Sequence, residues 1–289
     1  MNLRNVWTMV RFTMQEAVSR KLILAGLVLS VAFLLLFGWG YSLLFAEITK
    51  GGDVAVPSPR EQVIATGAAF TLLGLYAISF LASFMALFLS VGAISGEIDS
   101  GTLHSVLAKP VRRAEYLLGR WLGYCGLTSV YVAIMGLGVL VISYLVSGFE
   151  VPDPARAIGF MMLQSVALLS MSLLGSTLMP TLANGVVAFG LFGLSWLAGI
   201  IDFAGGIMRN ESMRNLATGV SLVVPSDGIW KAASYYVQPP LLLTATSSVD
   251  TSIPFIANAP PTGAFVVWVL LYPLVLLALG MWTFQRRDL

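Results

Sequence analysis

Polar and apolar positions along this chain fall into long blocks rather than short alternations. No charged residue occurs from Leu22 to Ala46, Gln62 to Gly96, Trp121 to Phe149, Ala157 to Ile201, or Gly263 to Phe284. A helix rising about 1.5 Å per residue needs about 20 apolar residues to cross the roughly 30 Å hydrocarbon core of a bilayer. Four of the five runs suit one crossing each. The run from Ala157 to Ile201 would extend roughly 67 Å as a single helix, about twice that thickness, so it must turn. The segment MPTLANG, Met179 to Gly185, supplies Pro, Asn and Gly for a tight reversal. The pattern predicts an all-α integral membrane protein with six spans, at 22–46, 64–96, 116–148, 157–180, 184–202 and 263–285.

The segments between the spans differ in kind. In 1–21, Leu3, Trp7, Val10, Met14, Ala17 and Val18 follow a three-to-four spacing beside a stripe of Arg4, Thr8, Arg11, Gln15 and Ser19. This predicts an amphipathic helix in the membrane interface, its cations toward anionic headgroups. The loop 97–115 is the densest polar stretch. Asp99 or Ser100 can cap a helix starting near Gly101, and Leu103, Val106 and Leu107 then share one face until Pro110 ends it. Two turns of helix are marginal alone in water, so that face must pack on the chain's own surface or in a partner's groove. The 203–262 loop mixes apolar patches with Trp230, Tyr235 and Tyr236, which predicts short re-entrant or interfacial helices.

Composition agrees: 57% of residues are hydrophobic and 10% charged, against about 25% charged in soluble domains. One cysteine, Cys125, and one histidine, His104, exclude an internal disulfide and argue against a metal site. No phosphate-binding G-x-x-x-x-G-K-[ST] run is present. His104 lies in a polar loop, which disfavours an intramembrane protease. The spans show no ionisable residue deep inside, which weakens an ion-coupled carrier without removing it. The run after Arg20 and Lys21 is too long for a signal peptide. Ten of the sixteen Lys and Arg fall in the N-terminal segment, the 97–115 loop with Arg120, and the C-terminus. That places both termini and the loop in the cytoplasm of an inner-membrane protein.

The run Glu97-x-x-x-Gly101-Thr102-Leu103-x-x-x-Leu107-x-x-Pro110-x-Arg112, followed by Tyr116-x-x-Gly119-Arg120, resembles the signature loop of ABC-2-type transporter permeases. The six spans, the N-terminal helix and the closing FQRRDL are similar to that family too. The resemblance implies an elbow helix at 1–21 and a coupling helix in the loop between spans two and three. Glu97, Gly101, Thr102, Leu103, Val106, Leu107, Pro110 and Arg112 would then form the contact with a separate ATPase subunit, Glu97 holding the loop in register by pairing with a nearby arginine. It further implies two ATPase copies carrying ATP and Mg, a second permease copy (the same chain or a related one), surrounding lipid, and no catalysis or cofactor on this chain. Trp230, Tyr235 and Tyr236 would gate the exit or meet an extracytoplasmic partner. Nothing suggests nucleic acid. Family members move drugs, peptides, lipids, polysaccharides and, in one branch, material for maturing a copper enzyme. The scarcity of charge in the spans favours a lipidic or amphipathic cargo. The rival readings are an ion-coupled secondary carrier and a membrane anchor whose ATPase partner drives assembly or signalling.

Overall fold

The bundle is built around one hydroxyl-rich helix. We describe it from a computed structural model covering residues 3–19, 21–50, 59–99, 101, 112–240, 242–243 and 255–286. Among these residues every regular element is a helix, and six helices are long and apolar enough to cross a membrane. In chain order the helices are α1 (Leu3–Ser19), α2 (Lys21–Lys50), α3 (Pro59–Ser90), α4 (Ser95–Asp99) and α5 (Arg113–Ser147). They continue with α6 (Pro154–Leu178), α7 (Thr181–Ile207), α8 (Glu211–Val223), α9 (Ser226–Val237) and α10 (Gly263–Arg286). The six spans are α2, α3 with α4, α5, α6, α7 and α10.

The central helix is α6, 61% buried over its most apolar stretch, against 11% for α2. Ser165, Ser170 and Thr177 are buried yet donate to carbonyls of their own helix, Met162 O, Val166 O and Leu174 O, at 2.7–2.8 Å. Small side chains satisfied in this way let neighbours approach closely in lipid, where apolar surface alone gives helices little reason to associate. Gln164 adds a cross-link: Ser79 Oγ donates to its Oε1 at 2.9 Å, and its Nε2 donates to Ser83 Oγ at 3.2 Å. Leu75, Ile78, Val132, Met161 and Trp230 pack in the same region, joining α3, α5, α6 and α9.

Local chemistry sets the turns. Gly148 closes α5 in the left-handed conformation at φ 68°, its N–H donating to Tyr144 O at 2.9 Å. Asp153 caps α6, accepting from Arg156 N at 3.1 Å, and Pro154 takes the first helical position where its missing N–H costs nothing. α6 stops at Leu178; Met179 and Pro180 are extended and α7 begins at Thr181. The chain thus reverses within two residues.

Helix α1 lies along α5 with Val6, Val10 and Thr13 buried. Gly119 and Gly123 of α5 admit it: a Cβ on Gly123 would stand 2.9 Å from Thr13 Cβ. The face meeting the bundle is therefore Val6–Val10–Thr13. Trp7 (72% exposed) and Met14, grouped with Val10 by the sequence pattern, stay outside. Glycine spacing on the partner helix selects the contact face, a signal that α1's own periodicity does not contain.

Candidate functional site

Both stems of the polar loop are held by a cluster of buried charge. α3 ends at Ser90, and residues 91–94 form a turn that leads into α4. Asn184 Nδ2 donates to Val91 O at 2.7 Å and to Ser172 O at 2.9 Å, which satisfies the carbonyl exposed by the bend. Ser176 Oγ then accepts from Ile94 N and Ser95 N at 3.0 and 3.1 Å, and Ser95 Oγ bonds Thr181 Oγ1 at 2.8 Å. The short α4 is thereby pinned to α6 and α7. Gly101 follows at φ 71°, its N–H donating to Ile98 O at 3.1 Å, a left-handed exit that suits glycine. Thr102, Leu103, Val106, Leu107 and Pro110, the proposed ATPase-facing residues, lie outside the described residues. Arg112, exposed, precedes α5 and its backbone N–H reaches Glu115 Oε2 at 3.4 Å.

Arg120, 4% exposed in the second turn of α5, organises what lies between the stems. Its Nη2 pairs with Glu97 of α4, and its Nη1 with Glu16 of α1 at 2.5 Å. Nη1 also donates to Tyr124 Oη, and Nε to Tyr116 Oη, both at 3.1 Å. Tyr116 Oη in turn donates to Glu97, and both tyrosine rings face the guanidinium, with centroids 5.6 and 5.9 Å away. One buried guanidinium thus ties α1, α4 and α5, using the planar fork that makes Arg suited to several acceptors at once. A second set of contacts stands beside it. Buried Glu115 accepts from Asn5 Nδ2 at 3.0 Å, and Arg113 Nη1 donates to Phe284 O at 3.3 Å, at the end of α10.

These positions revise the sequence picture in two respects. The spans are free of ionisable groups in their middles but not at their ends, since Glu115 and Arg120 are buried within a candidate spanning helix. Arg120 is ion-paired with Glu16 and Glu97, and Glu115 accepts from Asn5, which offsets part of the cost of burying them. In the sequence Arg120 is a topogenic charge and part of the Tyr116-x-x-Gly119-Arg120 motif, neither of which marks it as the centre of a cluster. The available signal was Tyr116-x-x-x-Arg120-x-x-x-Tyr124, three groups one turn apart on one helix face. Glu16 and Glu115 left no comparable trace, because their partners are more than 100 positions away or on another helix.

At the opposite end of the bundle, α9 packs between α6 and α7. Trp230 is 3% exposed, and its indole N–H donates to Phe255 O at 2.7 Å while its ring lies 5.1 Å from Tyr76. It faces protein, not the membrane–water boundary expected of loop aromatics, because the Phe255 carbonyl supplies the partner its N–H needs. Tyr236 stacks on Phe160 at 5.8 Å and lies under Arg156; Tyr235 packs edge-on against Tyr236 at 5.4 Å. Ser195 of α7 fastens the start of α9: it donates to Val224 O (2.8 Å) and accepts from Ser226 Oγ (2.8 Å) and Asp227 N (3.2 Å). Lys231 bridges Asp202 and Asp227, each at 3.0 Å. Burial pushes the Asp227 carboxyl up from the usual range against the pull of Lys231. For Lys231 burial acts downward, but Asp227 and Asp202 together carry its ammonium above the ordinary value.

Six apolar helices, buried hydroxyls and charge clusters kept to the two ends of the bundle define a multi-pass helical membrane protein. The chain belongs to the ABC-2 family of transporter proteins: the profile described as "ABC-2 family transporter protein" matches residues 2–289. Among curated relatives it is similar to "Probable ABC transporter permease protein NosY" of Stutzerimonas stutzeri, 29% identical over 169 residues, 57% of this chain and 55% of the relative. It is also similar to the protein of the same description in Pseudomonas aeruginosa, 32% identical over 134 residues, 46% of this chain and 43% of that protein. The matched region spans about half the length of these relatives.

Proposed function

We propose that this chain is the membrane-spanning permease subunit of an ATP-driven exporter in the inner membrane, with both termini cytoplasmic and the 97–115 loop resting on a separate ATPase. The observation that carries the reading is the Glu16–Arg120–Glu97 cluster. A push on the loop is useful only if its stems are rigid. Here one stem leaves α4 beside Glu97 and the other enters α5 one turn before Tyr116, and both are tied to the same buried cation. Displacement of the loop is then transmitted to α1, α4 and α5 together. Leu103, Val106 and Leu107 supply the apolar face that meets the ATPase, while Gly101, Thr102, Pro110 and Arg112 shape and flank it. The relatives' description as ABC transporter permeases supports the same reading.

ATP and Mg belong to the ATPase, of which two copies serve two permease chains. At the far end α9, with Trp230, Tyr235 and Tyr236, closes the exit, and its attachments to α7 through Ser195 and Lys231 make the two helices move as one. The cargo is lipidic or amphipathic. The test is co-purification with the ATPase. Replacing Leu103 and Leu107 by Asp abolishes association while membrane insertion persists; association at the unmodified level would overturn the docking role.

A further inference from the structure

A cavity of about 240 Å3 lies between α2, α3 and α5, toward the end of the bundle that carries the termini. Leu81, Phe84, Met85 and Leu89 form its wall, and Leu27, Leu29 and Phe88 at the rim are 51%, 58% and 64% exposed. In a bilayer this cavity opens toward hydrocarbon, because its rim belongs to the charge-free part of two spans. An apolar cavity of about 150 Å3 stays dry and admits benzene, so this one has room for a longer hydrocarbon segment. Phe84 and Phe88 also continue a column of aromatic rings on α3, Tyr76, Phe80, Phe84 and Phe88, each one turn from the next.

The chemistry of the cavity wall narrows the ligand. Ser30 and Tyr131 are its polar residues, and they lie 2.7 Å apart. Ser30 Oγ donates its one proton to Gly26 O at 2.7 Å, so Tyr131 must donate to Ser30. The phenol proton is thereby used, and Tyr131 Oη retains only the capacity to accept. A site of this kind bonds a donor and repels the lone pairs of carboxylates and phosphates.

We infer that the α2–α3–α5 cavity binds a membrane-borne long-chain alcohol, its hydrocarbon along Leu81 and Met85 and its hydroxyl donating to Tyr131 Oη. The inference concerns the chain alone, so it stands or falls separately from ATPase coupling.

The test uses the full chain in phosphatidylcholine nanodiscs and a long-chain alcohol carrying a diazirine, with the methyl ether of the same chain as comparator. After photolysis, the alcohol labels peptides spanning Leu81–Leu89 about threefold to tenfold more than the ether, the range expected of one net hydrogen bond. Tyr131→Phe brings the alcohol down to the ether's level and leaves ether labelling intact, which also shows that the variant is folded. Gly26→Leu reduces both, since a Cβ at Gly26 meets nothing within 4 Å and the added side chain can occupy the cavity. Equal labelling by alcohol and ether in the unmodified chain would overturn the inference by itself, as would undiminished labelling of Gly26→Leu. Either failure leaves association with the ATPase, measured on the same preparation, as an independent result.

Discussion

Removing the Arg120 guanidinium strands two carboxylates, and the cost can be worked from their surroundings. Arg120 and Glu97 side chains are 5% and 15% exposed, whereas Glu16 is 26% exposed. Breaking a buried pair by deleting one partner costs about 3–5 kcal/mol, chiefly because the survivor is left uncompensated. Glu16, nearer solvent, adds at most about 1 kcal/mol. Arg120→Gln keeps part of the hydrogen bonding, so the lower end, about 3 kcal/mol, is expected. That is roughly a 150-fold rise in the opening constant. Cys125 offers the readout, being the chain's single thiol and one residue beyond Tyr124 in the cluster. Its rate of reaction with a thiol dye, measured across a detergent titration, reports opening of this part of α5. Glu97→Gln alone costs about 2 kcal/mol by leaving the cation with one acidic partner. The double variant strands neither charge at that pair, so it falls short of the summed single effects by about 1–2 kcal/mol. Single effects that add within about 0.5 kcal/mol would show that the residues do not act as a pair and would refute the reasoning.

Other outcomes follow from contacts already described. Gly123→Leu overpacks the α1–α5 contact by about 1–3 kcal/mol and releases α1, raising proteolysis of the N-terminal segment while the bundle stays folded. Asn184→Ala leaves the Val91 and Ser172 carbonyls without their donor and costs about 1–3 kcal/mol in a detergent melt; an unchanged midpoint would contradict its capping role. The Asp227 carboxyl has a raised pKa, so the folded state holds its proton more firmly than the unfolded state does. Its contribution is fully present below the usual 3.8 and is lost as pH rises through the raised value. Asp227→Asn removes that decline, so the stability difference between variant and parent grows in the variant's favour on going from acid toward neutral pH.

Span number was legible because charge in hydrocarbon is costly and leaves uninterrupted apolar runs, visible without knowing any contact. The polar loop was legible for the same reason, as an exception to that rule. Pairing was legible only in part. The family-like loop gives Glu97 a nearby arginine, but not that Arg120 is the one, nor that Glu16, 104 positions from it, joins them. Asn184 resembles a turn residue within MPTLANG, yet its amide serves the turn that follows α3, 93 positions earlier. Loop aromatics generally prefer the boundary, and only the Phe255 carbonyl explains the inward position of Trp230. Hydrophobic patterning encodes what each helix avoids, whereas the identity of its neighbour depends on atoms from distant segments.

The way α2 is fastened has a mechanical consequence. Its polar attachments to the rest of the bundle include Ser30, bonded to Tyr131, and Tyr41, whose hydroxyl donates to Ser147 Oγ at 2.8 Å, with Phe33, Leu34 and Phe37 packed on the core between them. These two attachments are eleven residues apart, roughly 16 Å along the helix axis. Sliding or tilting the helix strains both bonds together, so the register of this mostly lipid-facing span is fixed at two depths. Losing either hydroxyl would leave that register pinned at one depth, with apolar packing alone holding α2 in place at the other.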